Sequence, residues 1–169
     1  MTTKIKTTAV ATYERARRLT NLSLWSISLQ CCSLRSSEPE DDGFVLRKCV
    51  DFNFLIVALT RFRSAAKLAA NIPAIMSEVE TALKEFDSAL PDLKKMRDVA
   101  EHIDDYAIEQ GREASVERGL LEVSSLSDGE DGLVLRWLGH QLNADKALDA
   151  SRKLFDAIKM TSTAFRNSG

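Results

Sequence analysis

The segment Met96-Arg97-Asp98-Val99-Ala100-Glu101-His102-Ile103-Asp104-Asp105-Tyr106 gathers an arginine, an aspartate and a histidine into one short stretch. An imidazole titrates near pH 6.5, so His102 can take a proton from a ribose hydroxyl, or return one to a leaving oxygen, near neutral pH. The guanidinium of Arg97 presents a planar fork of donors that can grip a phosphate and stabilise charge developing on it. Residues five apart on a helix lie about 140° from one another around its axis. Arg97 and His102 therefore converge if the helix bends between them, or if a second copy of the chain supplies part of the site. The same residues also have structural roles open to them, Arg97 as an i,i+4 ion pair with Glu101 and His102 as an i,i+4 contact with Asp98. Six acids fall between Asp98 and Glu113, with Arg112 as the one arginine after Asp98 in that stretch, so the immediate field repels phosphate.

Other chemistry is not signalled. The chain has no glycine-rich phosphate loop, no GxSxG elbow, no HExxH and no CxxC pair. Glu101-His102 are adjacent and splay apart, unlike the Glu-x-x-His pairs of di-iron bundles. No metal ion and no cofactor are expected. His140 follows Arg136 too closely for the Arg97–His102 spacing and reads as an ordinary loop or helix-start histidine.

Apolar periodicity sets out the elements that must carry these residues. Leu22, Trp25, Leu29 and Cys32 recur at steps of three and four between about Val10 and Leu34, which reads as a helix facing a core. Ser36-Ser37-Glu38-Pro39-Glu40-Asp41-Asp42-Gly43 is a turn in solvent. Phe52, Leu55, Leu59, Phe62, Ala66 and Ala69 make the clearest helical stripe, which ends before Pro73. Met76, Val79, Leu83, Phe86 and Leu90 carry a third helix to a kink or restart at Pro91. Leu93, Met96, Val99, Ile103 and Tyr106 continue it towards a stop at Gly111.

Leu121 and Val123, then Leu133, Leu135 and Trp137, alternate with polar residues around Ser127-Asp128-Gly129-Glu130-Asp131-Gly132, the pattern of a small β-hairpin. Asn143 is the expected N-cap of a last helix bearing Ala147, Leu148, Phe155, Ile158 and Phe165. The expectation is a mainly α chain, one domain over residues 1–169, built as an up-and-down four-helix bundle with a β-hairpin before the last helix. No internal repeat suggests a solenoid.

An Arg separated by four residues from a His, late in the third helix of a helical chain and followed by a polar residue, resembles the R-x(4–6)-H motif of the HEPN family. Arg97 matches the family Arg, Asp98 the polar residue that commonly follows it, and His102 the family His. The specific part of the resemblance is these few residues, and the helical pattern extends it loosely over most of the chain. It implies a homodimer whose two motifs meet in an interfacial cleft and, in active members, metal-independent RNA cleavage. Arg97 would then hold the scissile phosphate, His102 would act as acid or base, and Asp98 would orient one of them. A defence, stress or toxin role would bring a cognate antitoxin or regulator as partner. Some HEPN toxins carry a Tyr two residues after the His, which a nucleotidyltransferase partner modifies. Here that place is taken by Asp104, and Tyr106 follows two residues later. The alternative is a non-catalytic HEPN-like dimeric module that binds RNA, nucleotide or a partner protein, or a helical interaction protein.

Composition sets the outer bounds. The chain has 169 residues, is 44% hydrophobic and 28% charged, and has only 7 Gly and 3 Pro, which suits a packed core and excludes a disordered or fibrous protein. A formal charge of −2 supplies no global field for nucleic acid, so an anionic partner must be held by a local patch. Lys4, Lys6, Arg15, Arg17, Arg18 and Arg35 stand against Glu14 alone near the start, and Arg47, Lys48, Arg61, Arg63 and Lys67 decorate the second helix. These are solvated faces or an RNA guide. Trp25 and Trp137 read as core or interface anchors. Cys31, Cys32 and Cys49 are an odd set with no zinc spacing, which reads as reduced core or near-core thiols. With no signal-peptide core and no apolar run of spanning length, a cytoplasmic protein without a membrane partner is expected.

Overall fold

The computed structural model describes residues 8–36, 44–113, 115–121, 124–130 and 132–166, with side chains from 46 to 160 in the later segments. Lys4, Lys6, most of the acidic turn, Val123, Asp131 and the side chain of Phe165 lie outside the described residues. The protein is mainly helical, with a small three-stranded antiparallel sheet before the last helix. In chain order the elements are α1 (Ala9–Arg35), α2 (Phe44–Ala69), α3 (Met76–Ala89), α4 (Leu93–Glu101), α5 (Ile103–Ala107), β1 (Ser124–Gly129), β2 (Gly132–Trp137), β3 (His140–Asn143) and α6 (Ala144–Arg166). α1 packs chiefly on α2, α6 lies against α3 and α1, and α2 also touches α3, α4 and α6.

The α2 stripe is core as expected: Phe52, Leu55, Leu59, Phe62, Ala66 and Ala69 are all buried. Phe62 meets Phe86 of α3 with ring centroids 5.9 Å apart. Val79, Leu83, Leu90, Leu93, Met96 and Val99 join them, whereas Met76, expected on the same stripe, is 39% exposed. The helix break at Pro91 is present, between Ala89 and Leu93.

The expected core stripe of α1 faces the other way. Leu22, Trp25 and Leu29 are 64%, 64% and 62% exposed, and Cys32 is exposed as well. The buried side of α1 is Tyr13, Ala16, Thr20, Ile27, Cys31 and Leu34. Small residues let the backbone of α1 approach its neighbours closely, and the hydroxyl of Thr20 is satisfied within the helix by donating to the carbonyl of Ala16 at 2.9 Å. The helix thus carries an apolar row on each of two sides, and the row Leu22, Trp25 and Leu29 is the outer one.

Lys48, expected on a solvated face, is 6% exposed. Its ammonium donates to the carbonyls of Ser33, Leu34 and Ser36 at 2.9, 2.9 and 3.0 Å, so it caps the C-terminus of α1, where helix carbonyls lack partners and the helix dipole favours a cation.

The sheet holds one strand more than the expected hairpin. β1 pairs with β2 from Ser124↔Trp137 to Gly129↔Gly132, and β2 pairs with β3 from Val134↔Asn143 to Trp137↔His140. Leu138 (φ 57°) and Gly139 (φ 73°) form the connecting two-residue turn, with both residues in the left-handed region that such hairpins require. Leu138 replaces the usual Asn or Asp there, which hides the turn in the sequence. His140 consequently opens a strand rather than lying in a loop or at a helix start, and its Nδ1 stands 3.0 Å from Asp92 Oδ1. Asn143 caps α6 as expected, accepting from the Lys146 N–H at 2.8 Å. Asp145 then ties three elements together, accepting from the Leu133 N–H at 3.2 Å and pairing with Arg35.

The cysteines divide by burial. Burial pushes the Cys31 thiol above its ordinary pKa, with its sulfur 3.6 Å from the carbonyl of Ala144. Since the thiolate is the reactive form, alkylation near neutral pH is expected to modify Cys32 quickly and Cys31 only after unfolding. Peptide mapping of the alkylated native protein checks this, and equal rates at Cys31 and Cys32 would contradict the burial of Cys31.

Candidate functional site: a basic groove between two helices

Arg97 stands on α4 one turn after Lys94, and α4 runs beside α2. Between them lies a groove of about 490 Å³ to which Arg63 and Lys67 of α2 and Lys94 and Arg97 of α4 all contribute, with Thr60, Ser64 and Asp87 at its edge. Steps of three and four residues put Thr60, Ser64 and Lys67 on one side of α2, and Lys94 and Arg97 on the facing side of α4.

The four cations differ in what already holds them. Arg63 grips Asp87 with two parallel bonds, Nε to Oδ1 and Nη2 to Oδ2, both at 2.6 Å. That hydrogen bond to Asp87 raises the guanidinium pKa further above its ordinary value, with burial opposing. Arg97 pairs with Glu101 as the i,i+4 reading expects, while its Nε is buried with no hydrogen-bond partner. Lys67 and Lys94 make no ion pair among the described residues. The groove therefore offers two unengaged ammonium groups and one partly engaged guanidinium, a set of donors suited to an anion such as a phosphate or a carboxylate.

His102 is placed differently. α4 ends at Glu101, and His102 (φ −123°, ψ 32°) breaks the helix, its N–H bonding the carbonyls of Asp98 and Val99 at 3.2 and 3.3 Å. On an unbroken helix Val99, Ile103 and Tyr106 would share one stripe. The break turns Ile103 out to 47% exposure and still seats Tyr106 in the core. The helix thus breaks just after the Arg97 turn, but His102 is not part of the groove lining. Its partner is Asp105, at 3.9 Å from Nδ1, and not Asp98. Among the described residues Asp98 forms no hydrogen bond or ion pair through its side chain with either Arg97 or His102. Tyr106 is 3% exposed, and its hydroxyl accepts from the Glu113 N–H at 3.1 Å, so it does not offer a surface phenol for modification. The ring of Tyr106 also lies close against Gly111, where any Cβ would clash with it.

Sequence reasoning missed Lys94, whose i,i+3 spacing to Arg97 was the available signal, and it counted Lys48 as a surface cation when Lys48 is structural. Trp137 is buried, as an anchor should be, with its indole N–H donating to the Leu121 carbonyl at 3.1 Å. Among the described residues no cluster of three or more His, Cys, Asp or Glu side chains is placed to hold a metal ion, and no helix is long and apolar enough to cross a membrane. Comparison with protein-family models, with curated proteins and with solved structures finds no match. Function is therefore read from the residues themselves.

Proposed function

We propose that this chain is an HEPN-like, metal-independent endoribonuclease that acts as a cytoplasmic homodimer in defence, stress response or as a toxin held by a cognate antitoxin. The observation that carries the reading is the groove in which Arg63 and Lys67 of α2 meet Lys94 and Arg97 of α4. Arg97 holds the scissile phosphate and stabilises the charge that builds on its oxygens. His102 accepts the 2′-hydroxyl proton or protonates the departing 5′-oxygen, giving a cyclic phosphate and a free 5′-hydroxyl. In the dimer the two motifs share a cleft, which brings a His102 towards the phosphate held at Arg97. The long helical segments α1, α2, α3 with α4, and α6 are arranged in this reading as an up-and-down four-helix bundle. The exposed row Leu22, Trp25 and Leu29 supports a protein partner, because monomers seldom leave large apolar side chains clustered in water.

A second reading is favoured by the ion pairs. Arg97 engaged by Glu101, and His102 beside Asp105, fit a non-catalytic HEPN-like module that binds RNA, nucleotide or protein through the same groove.

The ribonuclease reading, and the RNA-binding form of the second, need the groove to hold a phosphate backbone, and salt dependence tests that need. Each lysine that neutralises a single-strand phosphate contributes about 0.7 to the slope of log affinity against log salt. Lys67→Ala and Lys94→Ala are each expected to lower the slope for a single-stranded RNA by about that amount. Slopes equal to the parent's in both variants would remove the groove from the account.

A further inference from the structure

The basic groove does not end at Arg97. Along α2 its wall is Lys67, Ser64 and Thr60, and the next residues on the same side, Val57, Asn53 and Cys49, line a second cavity of about 340 Å³. On the facing side Lys94 and Arg97 give way to Ala100 and Ile103 at the same steps of three. The two cavities thus follow one another along a single seam, cationic in one half and apolar in the other. The change falls between Thr60 and Val57 on one wall and between Arg97 and Ala100 on the other, a helical turn of about 5 Å in each case.

We propose that the apolar half of the seam is a nucleobase pocket adjoining the phosphate held at Arg97, so that the chain reads the base next to the bond it engages; this rests on the RNA reading above. Leu135 and Trp137 close the pocket from the sheet, and both are almost fully buried, so they present a firm apolar wall. The indole N–H is already committed to Leu121, which leaves the ring to offer apolar surface and not a donor. Asn53 is exposed, and its side-chain amide makes no hydrogen bond among the described residues. Its amide both donates and accepts, which is what the edge of an unpaired base demands. The volume falls within the range of small-ligand sites, roughly 300–1,000 Å³. A flat apolar ring with a polar edge, joined to a phosphate, matches both halves of the seam at once. An aliphatic ligand would leave Asn53 and the lysines unused.

The test measures binding of fluorescein-labelled homopolymeric oligoribonucleotides of each of the four bases, and of an abasic ribose-phosphate strand of the same length, to the full chain in EDTA. The preferred homopolymer is expected to bind at least about fivefold tighter than the abasic strand, since a single base contact of this kind is worth that much or more. Asn53→Ala should narrow the spread among the four homopolymers by about fivefold and leave abasic binding unchanged. Ile103→Ala should reduce binding of all four and again spare the abasic strand. Asn53 and Ile103 are both exposed, so neither change touches the core, and circular dichroism confirms the fold. Equal binding of abasic and base-bearing strands overturns the pocket while leaving the phosphate groove standing. Failure of every strand to bind overturns both the pocket and the RNA reading.

Discussion

Arg97→Ala and His102→Ala are each expected to slow RNA cleavage by about two to four orders of magnitude while leaving the fold intact. The size follows from the roles assigned to them. A positioned acid or base contributes about 10²–10⁴ in rate, and loss of a charge-stabilising donor costs about as much. Both side chains are half-exposed, so truncation removes little packing. Arg97→Lys keeps the charge and loses the planar fork, and should recover only a small part of the activity. The double variant should be little slower than either single one, because the two groups act on one transition state. Glu101→Gln moves the other way for binding. It releases the fork of Arg97 from its ion pair, and because that pair is half-exposed, RNA affinity should rise by no more than about fivefold. Cleavage rates at saturating RNA, with anisotropy for affinity, separate these effects. If His102→Ala cuts at the parental rate, His102 is not the acid or base and its catalytic assignment falls; if the parent itself leaves RNA intact, the non-catalytic module remains.

The largest stability effect is expected at a residue that composition alone places on the surface. Lys48→Met keeps the aliphatic stem of Lys48 but strips three carbonyls at the end of α1 of their donor. One of those bonds is buried and two are partly so, which allows water to replace some of what is lost. Charge-assisted hydrogen bonds are worth about 1.5–3 kcal/mol each, so a net loss of about 2–3 kcal/mol is the expected outcome. For a chain of this length that corresponds to roughly 5–10 °C in Tm. Urea unfolding should show a lower midpoint with an unchanged m-value. A loss below about 0.5 kcal/mol would mean that the cap is solvated in solution and that Lys48 acts as an ordinary surface cation.

What the sequence discloses and what it hides follow from how each feature is encoded. The α2 stripe is legible because Phe52, Leu55, Leu59 and Phe62 are large and recur at strict steps of three and four, and α1, α3, α4 and α6 all pack on that helix. Pro91 and Asn143 are legible because each acts through its own backbone or side-chain geometry, whatever packs nearby. The facing of α1 is not, because bulky residues stand on both sides of it, Tyr13, Ile27 and Leu34 among Ala16, Thr20 and Cys31 on the buried side and Leu22, Trp25 and Leu29 on the outer one. Size does not choose between them, and only the partner helices decide. β3 is hidden by Leu138 in a left-handed turn position that sequence patterns reserve for Asn, Asp or Gly.

The site divides along the same line. Arg97 was legible as a phosphate-binding candidate and does line a basic groove. Beyond Lys94 on its own helix, the cations beside it come from α2, some 30 residues earlier in the chain, and no local pattern links Lys67 to Lys94. The break at His102 was not legible, since no Gly or Pro marks it and the apolar stripe runs on through Ile103 and Tyr106. Asp98 matches the motif in sequence and yet makes no side-chain bond to either member of it.

The central claim is that this groove and His102 together cut RNA without a metal. The most direct measurement is incubation of the purified full chain with end-labelled RNA in EDTA, with the fragment ends mapped. Discrete fragments ending in 2′,3′-cyclic phosphate, formed by the parent and lost in Arg97→Ala and His102→Ala, are the expected result. RNA left intact by the parent across a range of pH, or cut equally by the variants, would contradict it.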